Sequence, residues 1–292
     1  MIDLSIIIPH KNSFNTLLRL LNTIPNKDSI EVIIVDDNSS SEVVKKLKNI
    51  RCNNNIKIIY SNGGGAGRAR NIALDHALGK WIVFADADDY FCDGFLALTN
   101  RFINNKEDVI YFGVNSITEL GNQSYRHLRY MKLVEDYLSD RKFENELKFH
   151  FLSPWGKMIR RELLEKYNIR FEEIIAGNDN LFSLKVAHNT RKLTATYNVL
   201  YIITESKNSL SATFSKYHFN SKFNAALQAN QFLCSINQTK YQQSILYFLG
   251  RSYKFGLNYL IYVIKQLIKY RSNIFIGSRN IFNYKEVLRR RG

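Results

Sequence analysis

Short apolar runs alternate with helical periodicities over the first third of the chain. Runs rich in β-branched residues occur at 4–8, 30–35, 56–60 and 81–85. Such runs are typical of strands buried on both faces of a parallel sheet. Apolar residues at helical spacing lie between them, at 14–24, 43–50 and 69–78. The alternation predicts an α/β fold in which helices flank a mostly parallel, doubly wound sheet.

The rest of the chain is less regular. An apolar run at 109–114 predicts another strand, residues 130–205 predict mixed helices and short strands, and residues from about 217 onward predict helices. We therefore expect one domain over residues 1–210, with halves at 1–110 and 111–210, followed by a helical region over residues 211–292.

Charge is distributed unevenly between these two parts. Residues 1–205 carry 27 Lys and Arg against 25 Asp and Glu, whereas residues 206–292 carry 14 against 1, so 13 of the 15 net positive charges lie in the last third. A basic segment can bind nucleic acid, an anionic membrane or an acidic partner, and charge alone does not choose between them.

Apolar and basic residues occupy different faces of the helix predicted around residues 251–269. The uncharged run at 255–264 is shorter than the ~20 residues that a spanning helix needs. One interpretation is peripheral contact with an anionic membrane through residues 240–292. The alternative is a helical subdomain packed on the protein or on a second subunit, which leaves an oligomer open.

The cysteines and the N-terminus bear on localisation. Cys52, Cys92 and Cys234 lack metal-ligand spacing, which predicts neither a zinc site nor a disulfide framework and fits a reducing compartment. The sequence enters its first strand without a visible signal peptide. We expect a cytoplasmic protein, with a peripheral position on the inner face of the cell membrane as an extension of that expectation.

Three carboxylates follow the run at 81–85. Asp86, Asp88 and Asp89 crowd the end of a predicted strand, where their mutual repulsion favours binding of a cation. Oxygen ligands of this kind suit Mg²⁺ or Mn²⁺ with substrate phosphates completing the coordination. The alternative is a solvated acidic turn.

Two further polar segments follow predicted strands. In the pair Asp36 and Asp37, a cap of the next helix and a functional role are equal alternatives for one carboxylate, and the other suits a hydrogen bond from a base or ribose. The glycine-rich segment from Asn62 to Asn71 enters a helix and carries Arg68 and Arg70, which suits an anionic diphosphate. A glycine hinge without a ligand is the alternative for this segment.

Six segments in this order resemble family 2 glycosyltransferases of the GT-A fold, of the type that builds bacterial surface polysaccharides such as O-antigen or capsule. The resemblance covers roughly residues 3–210. The matching segments are residues 5–12, 31–39, 62–71, 84–89, 153–164 and 177–182.

The resemblance implies roles for individual residues. Those implied to bind the nucleotide sugar are Pro9, His10, Asn12, Asp37 (base), Asn62, Arg70, Asp86 and Asp88. Asp88 would also ligate Mn²⁺ or Mg²⁺, and Asp179 would be the catalytic base. Without the resemblance, Asp179 reads as a helix N-cap.

The sequence departs from the family pattern at two of these positions. Asn178 stands where the family usually has Glu beside the base, and we expect it near the acceptor. His10 stands where an aromatic residue is common. Trp155 would stack on an acceptor sugar, with core packing as the alternative.

The resemblance implies an inverting, metal-dependent glycosyltransferase. Residues 1–110 would bind the nucleotide and residues 111–210 the acceptor. The donor would be a nucleotide diphosphate sugar, most simply UDP-linked, and the acceptor a saccharide or a lipid-diphosphate-linked oligosaccharide. A sugar nucleotidyltransferase is an alternative with similar substrates, and a basic nucleic-acid-binding protein is an alternative of another class. We expect no nucleic-acid partner.

Overall fold

The computed structural model describes residues 2–50, 55–206, 215–270 and 272–276. Within them an eight-stranded sheet is flanked by helices. The first half contains strands β1 (Leu4–His10), β2 (Ile30–Asp37), β3 (Ile56–Ser61) and β4 (Trp81–Phe84), and helices α1 (Phe14–Asn22), α2 (Ser41–Lys48) and α3 (Gly65–His76).

These four strands are parallel and lie in the order β3-β2-β1-β4. The predicted strands and helices of this half are therefore confirmed. Helix α3 begins at Gly65 rather than at residue 69. Its start follows Gly63 and Gly64, whose φ angles of +92° and +123° suit glycine and let the glycine-rich segment turn directly into the helix.

The elements that follow β4 add an antiparallel component. It contains β5 (Tyr90–Phe91), α4 (Phe95–Asn100), β6 (Val109–Thr118), α5 (Leu128–Ser139), α6 (Glu144–His150), β7 (Lys157–Arg160), α7 (Arg161–Lys166), α8 (Asn178–Asn189) and β8 (Leu193–Glu205). Strand β7 lies antiparallel between β4 and β6, whereas β6 and β8 are parallel. The complete order is β3-β2-β1-β4-β7-β6-β8-β5.

An aromatic cluster supports the end of β4. The rings of Phe171 and Phe182 stack with centroids 3.7 Å apart, and Phe84 meets both edge to face. Aromatic pairs of this geometry add to the stabilisation from burial. The cluster joins the end of β4, where the acidic loop starts, to helix α8, which carries Asp179.

The C-terminal region consists of α9 (Lys216–Ser235), α10 (Leu246–Ser252) and α11 (Leu257–Lys269). These helices share a buried cluster that includes Phe219, Phe223 and Val263. A second cluster joins α9 to the preceding domain, because Leu233 and Ala229 pack with Leu184 and Phe149. Helix α9 therefore packs on the preceding domain, which is one of the two alternatives predicted for the C-terminal region.

The predicted helical region extends beyond what the structure describes, because residues 211–214, 271 and 277–292 lie outside it. The domain limits of 1–210 and 211–292 stay a prediction. Among the helices that the structure describes, none has the length and hydropathy needed to cross a membrane.

Candidate active site

The candidate residues gather where the parallel strands end. Pro9 and His10 end β1, Asp36 and Asp37 end β2, and Asp86 follows β4. Adjacent parallel strands end at the same edge of a sheet, and ligands of such sheets bind beyond that edge. Chain direction therefore brings together residues that are up to 77 positions apart in sequence.

His10 belongs to a buried hydrogen-bond network. Its Nδ1 lies 2.8 Å from Asp36 Oδ1, and its Nε2 lies 3.3 Å from the backbone N of Ser13. Since the Ser13 N–H donates to Nε2, Nδ1 carries the proton that Asp36 accepts. Asp36 also accepts from the Ser39 hydroxyl at 2.5 Å. His10 thus fixes the loop after β2, which explains a polar ring at this position.

Asn12 joins the same two loops from the other side. Its backbone N donates to Ser39 Oγ at 2.8 Å, and its Oδ1 accepts from Ser40 N at 2.9 Å. Ser40, rather than either aspartate, is the N-cap of α2, so the helix-cap alternative for Asp36 or Asp37 is wrong. The physical reason is that both carboxylates are already engaged by side chains and by the backbone of other loops.

Asp37 anchors the glycine-rich segment. Its two carboxylate oxygens lie 3.0 and 3.1 Å from the backbone N of Gly65, the first residue of α3. Lys11 Nζ lies 3.6 Å from Asp37 Oδ2. A carboxylate at a helix N-terminus is stabilised by the helix dipole. Asn62 is exposed next to this anchor. The roles expected of Asp37 toward a base and of Asn62 toward the nucleotide and diphosphate stay predictions.

Arg70 is the central side chain of the site. It is 4% exposed, and its Nη2 donates to Asp86 Oδ1 at 2.6 Å. Its Nη1 donates to Asn178 Oδ1 at 3.0 Å and to Asp179 Oδ1 at 3.1 Å. One guanidinium therefore connects the carboxylate after β4 with the carboxylate at the start of α8. The predicted contact of Arg70 with a diphosphate stays a prediction beside these observed contacts.

Asp179 lies in the first turn of α8. The N-cap is Gly177, with a φ of +87°, so the N-cap alternative for Asp179 is wrong. The positive φ of Gly177 turns the chain so that Asn178 and Asp179 both reach Arg70. Asn178, which accepts this hydrogen bond from Arg70, stands at the position where the family usually has Glu.

The electrostatics of Asp179 favour a base that ionises above the ordinary range. Although 39% of the side chain is exposed, surrounding protein atoms displace enough water to raise the pKa of Asp179. The positive charge of Arg70 opposes that shift. Burial lowers the pKa of Arg70, but Asp179 and Asp86 outweigh it and the net pKa is raised, so Arg70 stays a cation.

The acidic loop after β4 is held by β8. Asp86 N donates to the Tyr201 hydroxyl at 2.8 Å, and Thr204 N donates to Asp89 Oδ1 at 2.7 Å. Arg19 donates to the carbonyl oxygen of Asp88 and, at 2.8 Å, to Thr204 Oγ1. Sequence reasoning did not single out Arg19, Tyr201 or Thr204, because these contacts join distant parts of the chain.

Asp88 is the carboxylate of this loop that is free to meet a ligand. Asp88 is an exposed residue of this loop. Loss of hydration, followed by the negative charge of Asp86, raises the pKa of Asp88 to about 6. The buried Asp89 has a pKa well above its usual range for the same reasons, desolvation first and then the charges of Asp88 and Asp86. Asp89 therefore serves the loop rather than a ligand.

The donor set fits a divalent cation only together with a phosphate-bearing ligand. In the part of the chain that the structure describes, no three or more His, Cys, Asp or Glu side chains group to hold a metal. Mg²⁺ is commonly bound through one or two carboxylates plus substrate phosphates. Asp88 meets that requirement, whereas Asp86 is already paired with Arg70.

Trp155 and Lys157 lie beneath the site. Trp155 is 7% exposed and stacks on Tyr201 with centroids 5.5 Å apart, which is the core packing named as its alternative. Its contact with an acceptor stays a prediction. Lys157 is buried, and its Nζ donates to the carbonyl oxygen of Phe151 at 2.6 Å. Desolvation lowers the pKa of Lys157 to about 7, while the charge of Asp179 opposes the shift.

The loop that precedes Asp179 is braced by the C-terminal helix α9. Ser221 Oγ accepts from Ala176 N at 3.1 Å and donates to Ala176 O at 3.0 Å. A Cβ on Gly177 would lie 2.7 Å from Cβ of Ala225. Nothing in the sequence pattern signalled these contacts, because an ordinary serine and alanine on a helix carry no motif.

The sequence is similar to parts of two larger glycosyltransferases. The chain is 28% identical over 201 residues to the poly(ribitol-phosphate) beta-N-acetylglucosaminyltransferase TarS of Staphylococcus aureus. The matched region covers 66% of this chain and 34% of TarS. It is 26% identical over 222 residues to a poly(ribitol-phosphate) beta-glucosyltransferase of Bacillus spizizenii, covering 72% of this chain and 34% of that protein. The chain therefore spans about a third of the length of these relatives.

The fold is shared with a solved structure. A crystal structure of residues 1–349 of S. aureus TarS in complex with UDP-GlcNAc superposes with a TM-score of 0.70 and 23% identity, covering 92% of this chain and 80% of that one. This similarity shows the GT-A fold. The sequence model of the family described as glycosyl transferase family 2 matches residues 5–168. Since that match spans more than half of the chain, the chain belongs to glycosyl transferase family 2.

Proposed function

We propose that the protein transfers a sugar from a UDP-sugar to an acceptor hydroxyl with inversion at the anomeric carbon. The observation that carries this proposal is the placement of Asp86 and Asp179 on one guanidinium, that of Arg70. Asp86 is expected beside the donor, and the partly exposed Asp179 is expected beside the acceptor. Because both pair with Arg70, the two carboxylates lie close together. Family membership favours this function over a nucleotidyltransferase or a nucleic-acid-binding protein.

Asp179 is the base in this proposal. Its carboxylate takes the proton of the acceptor hydroxyl while that oxygen bonds to the anomeric carbon and the bond to the diphosphate breaks. A single displacement of this kind inverts the anomeric centre. Arg70 orients Asp179 and opposes the rise of its pKa, because the positive charge of Arg70 favours the ionised carboxylate.

The donor would lie across the ends of β1, β2 and β4. Pro9, His10, Asn12, Asp37 and Asn62 line the nucleotide end in this proposal, with His10 and Asn12 acting through the loops they fix. UDP is the preferred nucleotide because TarS, the relative with this fold, was crystallised with UDP-GlcNAc. Asp86 would then lie beside the donor sugar.

Mn²⁺ or Mg²⁺ would be held by Asp88 together with the donor phosphates, where it would stabilise the charge of the departing diphosphate. The protein's own contribution is to hold the loop that carries Asp88. Arg19 donates to the carbonyl oxygen of Asp88, and Thr204 N donates to Asp89 Oδ1.

The acceptor in this proposal is a surface glycopolymer or its lipid-diphosphate-linked precursor. The protein itself would be cytoplasmic and peripheral on the membrane. Support comes from two relatives named for glycosylation of poly(ribitol-phosphate). Trp155 and Asn178, each 7% exposed, are proposed to lie on the acceptor side of the site.

The test is donor binding and turnover with a panel of nucleotide sugars. We expect one UDP-sugar with Mn²⁺ or Mg²⁺ to raise the thermal unfolding temperature and to be hydrolysed slowly without acceptor. Asp88→Ala should lose that stabilisation. Asp179→Asn should keep it while turnover falls by about 10²- to 10⁴-fold, the usual loss for a general base.

Asp93→Asn is the matched control, because Asp93 is an exposed carboxylate outside the site. It should bind and turn over like the wild type. Absence of any stabilising nucleotide sugar with any divalent metal would refute the proposed activity. Equal turnover by Asp179→Asn and the wild type would remove Asp179 as the base.

A further inference from the structure

Helix α11 presents an apolar row to solvent. Leu257, Ile261, Ile264 and Ile268 are 71%, 43%, 43% and 74% exposed. Their spacing of four, three and four residues places them on one side of a helix. Val263 and Leu267, each one position before a stripe residue and so about 100° round the helix, are buried in the cluster shared with α9 and α10.

We call this row the α11 stripe and define it as these four exposed residues. Ile274 and Phe275, in the segment after α11, are 44% and 74% exposed. Other large exposed apolar residues, such as Leu78 and Leu120, lie on the preceding domain. Single exposed residues are ordinary, whereas a contiguous apolar face marks a surface that meets a partner.

Positive charge borders the stripe. Lys265 and Lys269 are exposed, and each directly follows a stripe residue, Ile264 or Ile268, so both lie along one edge of the stripe. The sequence has no Asp or Glu between residues 206 and 285. The partner must therefore be apolar in the middle and negatively charged at its edge.

A second copy of this chain fits this requirement poorly. A two-fold interface pairs the same surface with itself, so Lys265 and Lys269 of one copy would approach lysines rather than carboxylates. A bilayer surface with anionic headgroups supplies both features, since acyl chains receive the apolar row and headgroups receive the lysines. A helix of 13 residues is too short to cross such a bilayer and instead lies along it.

We propose that the α11 stripe docks the protein on an anionic lipid surface. None of the residues placed at the active site lies on α11, so this proposal stands or falls independently of the transferase reaction. Helix α9 packs against α11 and also contacts the loop that precedes Asp179. Docking through α11 therefore holds the active-site domain next to the membrane.

The test is co-sedimentation of the 292-residue chain with vesicles. One set contains phosphatidylcholine with about a third phosphatidylglycerol, and the other contains phosphatidylcholine alone. We expect sedimentation with the anionic vesicles that weakens steeply with added salt, since each lysine near an anionic surface contributes about fivefold to affinity.

Two double variants separate the apolar and the charged parts of the surface. Leu257→Ser with Ile268→Ser, and Lys265→Glu with Lys269→Glu, should each weaken binding to anionic vesicles by at least about tenfold. The matched controls are Leu78→Ser with Leu120→Ser, and Lys45→Glu with Lys48→Glu, which change exposed residues of the preceding domain. They should bind within about twofold of the wild type, a change expected of ordinary surface substitutions.

Three results would overturn the proposal. One is failure of the wild type to sediment with anionic vesicles, and another is equal sedimentation of stripe and control variants. The third is a dimer in analytical ultracentrifugation that Leu257→Ser with Ile268→Ser converts to a monomer without any vesicle binding by the wild type. That result would assign the stripe to a second copy of the chain.

Discussion

Arg70 shows how a residue expected at the surface of a site can become its interior support. The sequence places it in a glycine-rich segment, where an arginine suits a phosphate. In the structure its guanidinium is buried over the ring of Phe171, with 5.1 Å between Cζ and the ring centroid, and pairs with two carboxylates. Burial of a charge is costly unless such partners offset it, so Arg70, Asp86 and Asp179 depend on each other.

Replacing Arg70 tests this dependence through the pH profile of transfer. Arg70→Gln removes the charge that opposes the effect of burial, so the pKa of Asp179 rises further. A base acts only when deprotonated, and the acid limb of the rate should therefore move to higher pH, by about 1–3 units. The measurement is the rate of sugar transfer from pH 5 to 9, with circular dichroism to check folding.

Arg170→Gln is the matched control for Arg70→Gln, because Arg170 pairs with the exposed Asp75 at 3.2 Å on the protein surface. Surface pairs of this kind contribute little, so its pH profile should match that of the wild type. If Arg70→Gln lowered the rate by one constant factor at every pH, Arg70 would act on structure alone and not on the pKa of the base.

At the scale of elements, the close contact of α3 with the segment before α8 positions Arg70 against Asp179. A Cβ on Gly67 would lie 2.2 Å from the carbonyl oxygen of Glu172 and 3.1 Å from Cβ of Asn178. Glycine at this position lets the backbones of the two elements touch. The glycine-rich segment thus serves helix packing as well as the turn at Gly63 and Gly64.

Gly67→Ala should separate these two elements. Alanine favours a helix by up to about 1 kcal/mol, but forcing a methyl group against backbone costs about 1–3 kcal/mol, so the protein should lose stability. Sugar transfer should become slower as well, because the displaced segment around Glu172 and Asn178 leads directly into Asp179. Urea unfolding and the transfer rate measure the two effects.

Gly250→Ala in α10 is the control for Gly67→Ala, since a Cβ there meets nothing within 4 Å. It should leave stability unchanged or raise it by up to about 1 kcal/mol. Equal behaviour of the two variants would show that the contact between α3 and residue 172 does not constrain the helix.

At the scale of the whole molecule, the basic C-terminal region and the acidic site belong to one structure. Leu233 of α9 is fully buried with Leu184 of α8 and Phe149 of α6. The same helix α9 holds the loop before Asp179 through Ser221. Loss of the C-terminal helices would therefore also release the support of the base.

Leu233→Ala tests whether the two parts unfold together. Truncating a buried leucine costs about 2–5 kcal/mol, and a shared cluster should pass that loss to the whole chain. Both tryptophans, Trp81 and Trp155, lie in the catalytic part, whereas far-UV circular dichroism also reports on α9 to α11. Coincident transitions by fluorescence and circular dichroism, both shifted to lower urea, are expected.

Leu257→Ala, at a position that is 71% exposed, serves as the control and should change stability by no more than about 0.5 kcal/mol. Loss of helical signal at a lower urea concentration than loss of tryptophan fluorescence would contradict the expectation, because the C-terminal helices would then unfold independently.

The sequence by itself determined the parallel half of the fold and the edge at which the site lies. Apolar runs and helical spacings act locally, so β1 to β4 and the helices between them follow from the pattern. The direction of parallel strands then brings His10, Asp37 and Asp86 to one edge. The charge asymmetry and the helical character of the last third were likewise readable without a structure.

Only the tertiary structure decided which partners these residues meet. Arg70 and Asp179 are 109 positions apart, and Ser221 lies 45 positions from Ala176. Contacts at such separations depend on how helices pack across the sheet, which periodicity does not specify. For the same reason the sequence could not tell which face of α11 is covered, and packing against α9 leaves Leu257 and Ile268 outside while it buries Val263.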